Sequence, residues 1–128
     1  MTTEKQLKVF ALIHDANRNT ISPCVKYLDS ENTLKSMYKI LNCALVTCTE
    51  IEVAGKLFDV WSDDEALLKD NPIPNLYVND DLIIFGNVLF AKSGKNGETL
   101  GLNHYEIQLL WKFAQNQFPK MQEYFGRL

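Results

Sequence analysis

Cysteine is scarce in this 128-residue chain, and charge of either sign is nearly balanced. Cys24, Cys43 and Cys48 are odd in number, and none stands in a Cys-x-x-Cys pair. A disulfide framework is therefore excluded, and free thiols in a reducing cytosol are expected. The net charge of −3 lacks the basic surplus of a protein that neutralises phosphates, so direct nucleic-acid binding is not expected. It is equally too mild for a whole-surface mimic of DNA. No apolar run approaches the roughly 18 residues of a membrane span, and Val9–Ile13 is too short to lead a secretory signal. These absences predict a location in the cytoplasm with no membrane contact.

Catalytic signatures are missing too. There is no glycine loop spaced to cradle phosphate, no G-x-S-x-G elbow and no H-E-x-x-H. The segment SGKNGE, Ser93–Glu98, has the composition of a phosphate loop. It lacks the preceding glycine spacing and the following helix, so it predicts a hairpin turn. A Cys/His dyad would need a third orienting group, which nothing nominates. The chain is expected not to be an enzyme.

What is present is ordinary globular material, 46% apolar and 23% charged, with no repeats or low-complexity tracts. The length suits one domain over 1–128, able to bury roughly two thirds of its unfolded surface. Leu7 to Asp15 and Ile21 to Leu28 predict a strand pair, with Pro23 marking an edge or a bulge. Asp29 or Ser30 would cap a helix over Glu31–Leu41, whose Leu34, Met37, Tyr38 and Leu41 fall on one face. Ala44 to Val53 and Lys56 to Trp61 predict a hairpin turning at Ala54-Gly55. Pro72 and Pro74 predict a surface-laid loop after Leu68. Leu82 to Lys92 predicts one central strand with a bulge at Gly86-Asn87, folded back at Asn96-Gly97. Asn103 and Glu106 have capping-box spacing before a last helix lined by Ile107, Leu110, Trp111, Ala114 and Phe118 and ended by Pro119. The order predicts an α+β fold, a mostly antiparallel sheet of five to six strands with two main helices on one side.

Between Asp59 and Asp81 stand seven carboxylates, Asp59, Asp63, Asp64, Glu65, Asp70, Asp80 and Asp81, against one lysine, Lys69. Such crowding creates a local negative field that can meet an arginine-rich face on a nuclease. Asp63, Asp64 and Glu65 can alternatively hold a hard divalent cation, since Asp63 and Glu65 would share a face of a strand. The plainest reading is a helix cap, with Asp63 or Asp64 capping a short helix over Glu65–Lys69. Cys24, Cys43, Cys48, His14 and His104 form a second metal set, for zinc, although a five-residue Cys43–Cys48 spacing does not suit a zinc knuckle. Buried packing of the thiols is the alternative. The aromatics lack the interleaved basic residues of a single-strand binder. Tyr77 in the proline loop and the Tyr124-Phe125 pair are the exposed aromatics expected at a protein interface.

Two stretches carry a resemblance. FDVWSDDEALLKDNPIPN, 58–75, and DLIIFGNVLFAKSGKNGETLGL, 81–102, combine D-x-W-x-D-D-E, a proline-broken loop, L-I-x-x-G-N and a Gly/Asn turn. Together they resemble a small domain-of-unknown-function family of phages, prophages, plasmids and conjugative elements of Gram-positive bacteria. The resemblance covers most of residues 7–115, with the WKFAQNQF ending of the last helix as its departure. It implies no established enzymatic activity and a setting rich in inhibitors of host defence, anti-CRISPR proteins among them. The expected function is thus binding to a protein partner, a host defence nuclease such as a Cas effector, by a monomer or dimer. The alternative is a metal-stabilised structural or regulatory domain that inhibits nothing.

Overall fold

The computed structural model describes residues 6–15, 17, 20–69, 73–79, 81–117, 119, 120 and 123. Strand β1 (Gln6–Asp15) pairs antiparallel with β2 (Thr20–Asp29), and α1 (Thr33–Leu41) follows. Next come β3 (Val46–Val53), β4 (Lys56–Asp63) and a single 3-10 turn over Ala66–Leu68. Strands β5 (Pro74–Asn79), β6 (Leu82–Phe85), β7 (Val88–Ser93) and β8 (Thr99–Leu100) precede α2 (His104–Gln115). The main sheet runs β2-β1-β7-β4-β3, with β8 paired to the end of β7, and β5-β6 form a separate ribbon. Among the described residues, the fold is α+β, with a mostly antiparallel sheet of six strands and two helices.

The helices lie on opposite faces of that sheet, not on one side. Met37 and Leu41 of α1 cluster with Val9, Leu28, Leu89 and Ala91. Ile107 and Leu110 of α2 cluster with Phe10, Leu12, Phe58, Val60, Val88 and Phe90. Successive side chains of a strand point to opposite faces, so the alternation along β1 and β7 decides which helix each residue meets. Val9 to Leu12 and Val88 to Ala91 are all buried, because these strands are covered twice. Small Ala11 and Ala91 share the α1 face, while Phe10 and Phe90 meet under α2 with tilted rings whose centroids are 5.8 Å apart.

Other expectations shift in register. The first cap is Asn32, whose side chain accepts from Lys35 N, and Leu34 of the expected apolar face is exposed. Asp29 instead accepts from the Glu31 amide, a local turn ahead of the helix. Pro23 does sit on an edge strand, opposite Leu12. The proline loop is a strand from Pro74 onward, because proline at a strand's first position removes no donor that the ribbon needs. Ribbon residues Leu76 and Ile84 join the α2-side core. The run from Leu82 to Lys92 is two strands, broken at Gly86, whose φ of 81° ends the first. The hairpin at Asn96-Gly97 and the full capping box between Asn103 and Glu106 form as predicted.

Candidate protein-docking site

The acidic segment begins where β4 runs out of partners. Strand pairing ends with Asp63 opposite Val46, and the next amide, Asp64 N, donates to Leu45 O at 3.0 Å. Asp63 is buried, and its carboxylate is engaged at both oxygens. Oδ1 accepts from Glu65 N at 2.9 Å, while Oδ2 lies 2.7 Å from Lys69 Nζ. The hydrogen bond to Asp63 is the main reason the Lys69 ammonium titrates above its ordinary range. This aspartate thus folds the turn back on itself, as an Asx-type turn does. The expected helix cap does not form: a 3-10 turn over Ala66–Leu68 replaces the expected Glu65–Lys69 helix, and it starts at Glu65 with no side chain capping it.

Gly86 lies against the other side of the turn. Gly86 N donates to Ile73 O at 2.8 Å, and Gly86 O accepts from Asn75 Nδ2 at 2.7 Å. A Cβ on Gly86 would stand 3.3 Å from Ala66 Cβ, so the absence of a side chain lets the turn settle against the ribbon. Asn87 Oδ1 accepts from His14 N at 2.8 Å. Asn75, buried between the ribbon and the sheet, also donates to Leu12 O at 2.9 Å. The turn is therefore anchored to the sheet core rather than hung on a loose loop.

Anchored in this way, the turn has nowhere to put its leucines. A single 3-10 turn cannot bury two consecutive side chains, and with Ala66 inward, Leu67 and Leu68 point out. They are 67% and 80% exposed, and Leu82 on β6 is 38% exposed. Together they border an open groove of about 370 Å³ whose walls include Thr47, Thr49 and Phe85. Asp64 and Glu65 stand exposed beside it, and Asp81 at the start of β6 is exposed. The result is an apolar ledge with carboxylates at its margin, held by a rigid scaffold. Exposed apolar ground of this kind is a candidate binding surface.

The seven expected acids are not brought together as one exposed field. Asp59 and Asp63 are buried, Asp59 with its carboxylate accepting from the Ser93 hydroxyl. Asp64, Glu65 and Asp81 remain on the surface, while Asp70 and Asp80 lie outside the described residues. Tyr77 is half-buried in β5, its amide donating to Gln117 Oε1 at 2.7 Å, so it is not the exposed loop anchor expected. Phe118, Tyr124 and Phe125 also fall outside the described residues.

Neither metal set is assembled. Among the described residues, no group of three or more His, Cys, Asp or Glu side chains could hold an ion. The shared face expected for Asp63 and Glu65 required a strand through both, and the strand stops at Asp63. Cys24 lies opposite Ala11 on the α1 face of the sheet, while His14 lies opposite Ile21 on the α2 face. His104 opens α2. All three thiols are held above their ordinary range. Burial does this for Cys24, and burial with the nearby Asp63 carboxylate does it for Cys43. Cys48 is pushed up to about 11 by burial, Asp59 and Glu50. Thiols kept protonated at neutral pH are poor nucleophiles.

The leucine ledge was missed in the sequence, although Glu65-Ala66-Leu67-Leu68-Lys69 carried the clue. Five residues between a strand and a proline segment are too few for a helix that could turn two adjacent leucines inward. Among the described residues, no helix is long and apolar enough to cross a membrane. No curated protein and no solved structure matches the chain. The model of DUF3846, a domain of unknown function, matches residues 11–116, and so takes in most of the WKFAQNQF ending that the sequence resemblance had set apart. The chain belongs to the DUF3846 family.

Proposed function

We propose that this chain works by binding another protein rather than by catalysis, with Leu67, Leu68 and Leu82 as the anchor. The observation that carries this reading is the pair of adjacent leucines, 67% and 80% exposed on a turn tied to the sheet. Unpaired apolar side chains held rigidly cost little further ordering when a partner covers them. Asp64, Glu65 and Asp81 would supply the polar margin and steer a basic surface toward the ledge. The partner class favoured by that charge is a protein with an arginine- or lysine-rich face. Nucleases of host defence, Cas effectors included, present such faces to nucleic acid. The likeness to proteins of phages and mobile elements favours them further, and an encounter inside the host cell follows from it.

The test is capture from host lysate with wild-type chain, followed by titration of the captured partner against a Leu67→Ser/Leu68→Ser double variant. The variant is expected to keep its melting temperature, since it removes no buried contact. Its affinity should fall by at least about 30-fold, the scale of losing a central apolar anchor worth roughly 2 kcal/mol. Equal affinity of the two proteins, or no protein captured by either, would overturn the reading.

A further inference from the structure

We propose that the outer edge of β3 forms the second half of this docking surface and takes up one extended segment of the partner as an added strand. The added segment would carry lysine or arginine at alternate positions. This rests on the protein-binding reading above and names the form in which the partner is recognised.

Two strands end the main sheet, and they differ in chemistry. Strand β2 carries Pro23 and Lys26, the residues by which sheet edges are usually blunted. Strand β3, Val46–Val53, is the other terminus of the sheet and contains neither proline, lysine nor glycine. Val46, Thr47, Thr49, Ile51 and Val53 are all β-branched, the residue type that suits a paired, pleated backbone. At roughly 3.3 Å per residue its eight residues offer about 26 Å of strand edge. Its pairing with β4 runs without a break from Val46 opposite Asp63 to Val53 opposite Lys56. Among the described residues, none bonds the side of β3 that faces away from β4. Among the described residues, the edge is long, straight in register and open.

The two faces of β3 specify what can lie beside it. On the α1 face, Glu50 and Glu52 are exposed, with Glu50 opposite Asp59. On the α2 face, Thr47 and Thr49 form one wall of the groove under the leucine ledge. A strand laid along β3 therefore places alternate side chains next to carboxylates and the others on the groove side. Cross-strand pairs of opposite charge are favourable, and like charges placed opposite each other are not. A second copy of the chain, paired about a two-fold axis, would bring Glu50 and Glu52 of both edges onto one face. Charge thus favours a basic segment of a different protein over self-association. Strand addition supplies affinity through the main chain and selects through alternate side chains.

The test uses the full chain and a capped peptide of sequence Lys-Val-Lys-Thr-Lys-Val-Lys-Val, with a fully N-methylated version carrying the same side chains. Backbone chemical shifts and amide protection are followed by NMR. The unmodified peptide is expected to shift and protect amides of Val46–Val53, and the N-methylated peptide to bind at least about tenfold more weakly. A Glu50→Lys/Glu52→Lys variant should lose a similar factor, and Glu50→Gln/Glu52→Gln part of it, each with an unchanged melting temperature. No peptide binding would overturn the inference, as would equal binding of both peptides or protection along β2. A concentration-dependent dimer with β3 protected in the absence of peptide would assign the edge to a second copy and overturn it too. Loss of a captured partner by the leucine variant but not by Glu50→Lys/Glu52→Lys would sink the edge while leaving the ledge in place.

Discussion

Phe90→Ala is expected to lower the folding free energy by about 3–5 kcal/mol and the melting temperature by on the order of 10–20 °C. Phe90 is fully buried on β7, the strand that pairs with both β1 and β4. Its ring lies 5.8 Å from that of Phe10 and 6.2 Å from that of Phe113 on α2. Truncation removes both contacts and leaves a cavity where sheet and helix meet. Backbone pairing fixes β1 and β4 beside β7, so the sheet cannot close over that space. Total stability for a domain is about 5–15 kcal/mol, so this one change consumes a large part of it. Chemical denaturation at neutral pH measures the effect, and a loss below about 1 kcal/mol would contradict the packing described.

The second large effect concerns Glu106, which is almost fully buried at the start of α2. Its Oε1 accepts from Asn103 N at 2.8 Å, and its Oε2 lies 2.9 Å from Lys92 Nζ and 3.5 Å from Lys56 Nζ. Burial alone would raise the pKa of this carboxyl. The Asn103 amide and the two ammonium groups outweigh burial, and the net direction is down. A depressed folded-state pKa means that ionised Glu106 stabilises the fold above the ordinary glutamate range. That contribution disappears as pH falls through the folded-state value. Glu106→Ala is expected to cost about 2–4 kcal/mol at pH 7, from a lost capping box and two lysines left without their carboxylate. Both lysines are partly exposed and can rehydrate, which holds the figure near the lower end. Glu106→Gln keeps an acceptor for Asn103 and should cost about 1–2 kcal/mol at pH 7. The gap between Glu106→Gln and wild type should close on acidification below about pH 4. A gap that is constant from pH 7 to pH 3 would show that the charge of Glu106 contributes nothing.

That helix start was legible in the sequence because it is local. Asn103 and Glu106 are three residues apart, and their geometry needs no distant partner. The same holds for Asn96-Gly97 and for Ala54-Gly55, where both residues take the positive φ that a two-residue hairpin requires. What the sequence hid was set at long range. The sidedness of the helices depended on β1 and β7 being covered twice, which Val9–Leu12 and Val88–Ala91 encode as unbroken apolar runs rather than alternation. Pro74 was read as excluding a strand, whereas its place at the first position of an edge ribbon makes it harmless.

The acidic segment shows the same limit more sharply. Seven carboxylates in 23 positions of sequence look like a field, but direction is decided by where β4 ends. Asp59 and Asp63 alternate into the sheet face and are bonded there, and only Asp64 and Glu65 of the triplet turn outward. Asp63 then acts as the latch of the turn that pushes Leu67 and Leu68 into solvent. Of the acids singled out in the sequence, Asp64, Glu65 and Asp81 face solvent, and Asp59 and Asp63 do not. Carboxylates drew attention because charge is conspicuous, while two exposed leucines look like core until the short turn is seen to have no inside for them.

The most direct measurement of the central claim is a hydrogen-exchange footprint of the full chain alone and bound to its captured partner. Slowed exchange over Asp64–Leu68 and Leu82–Phe85, with α1 and β2 unchanged, is the pattern predicted for docking on the leucine ledge. Protection confined to α1 or β2, with those two segments exchanging as in the free protein, would contradict it.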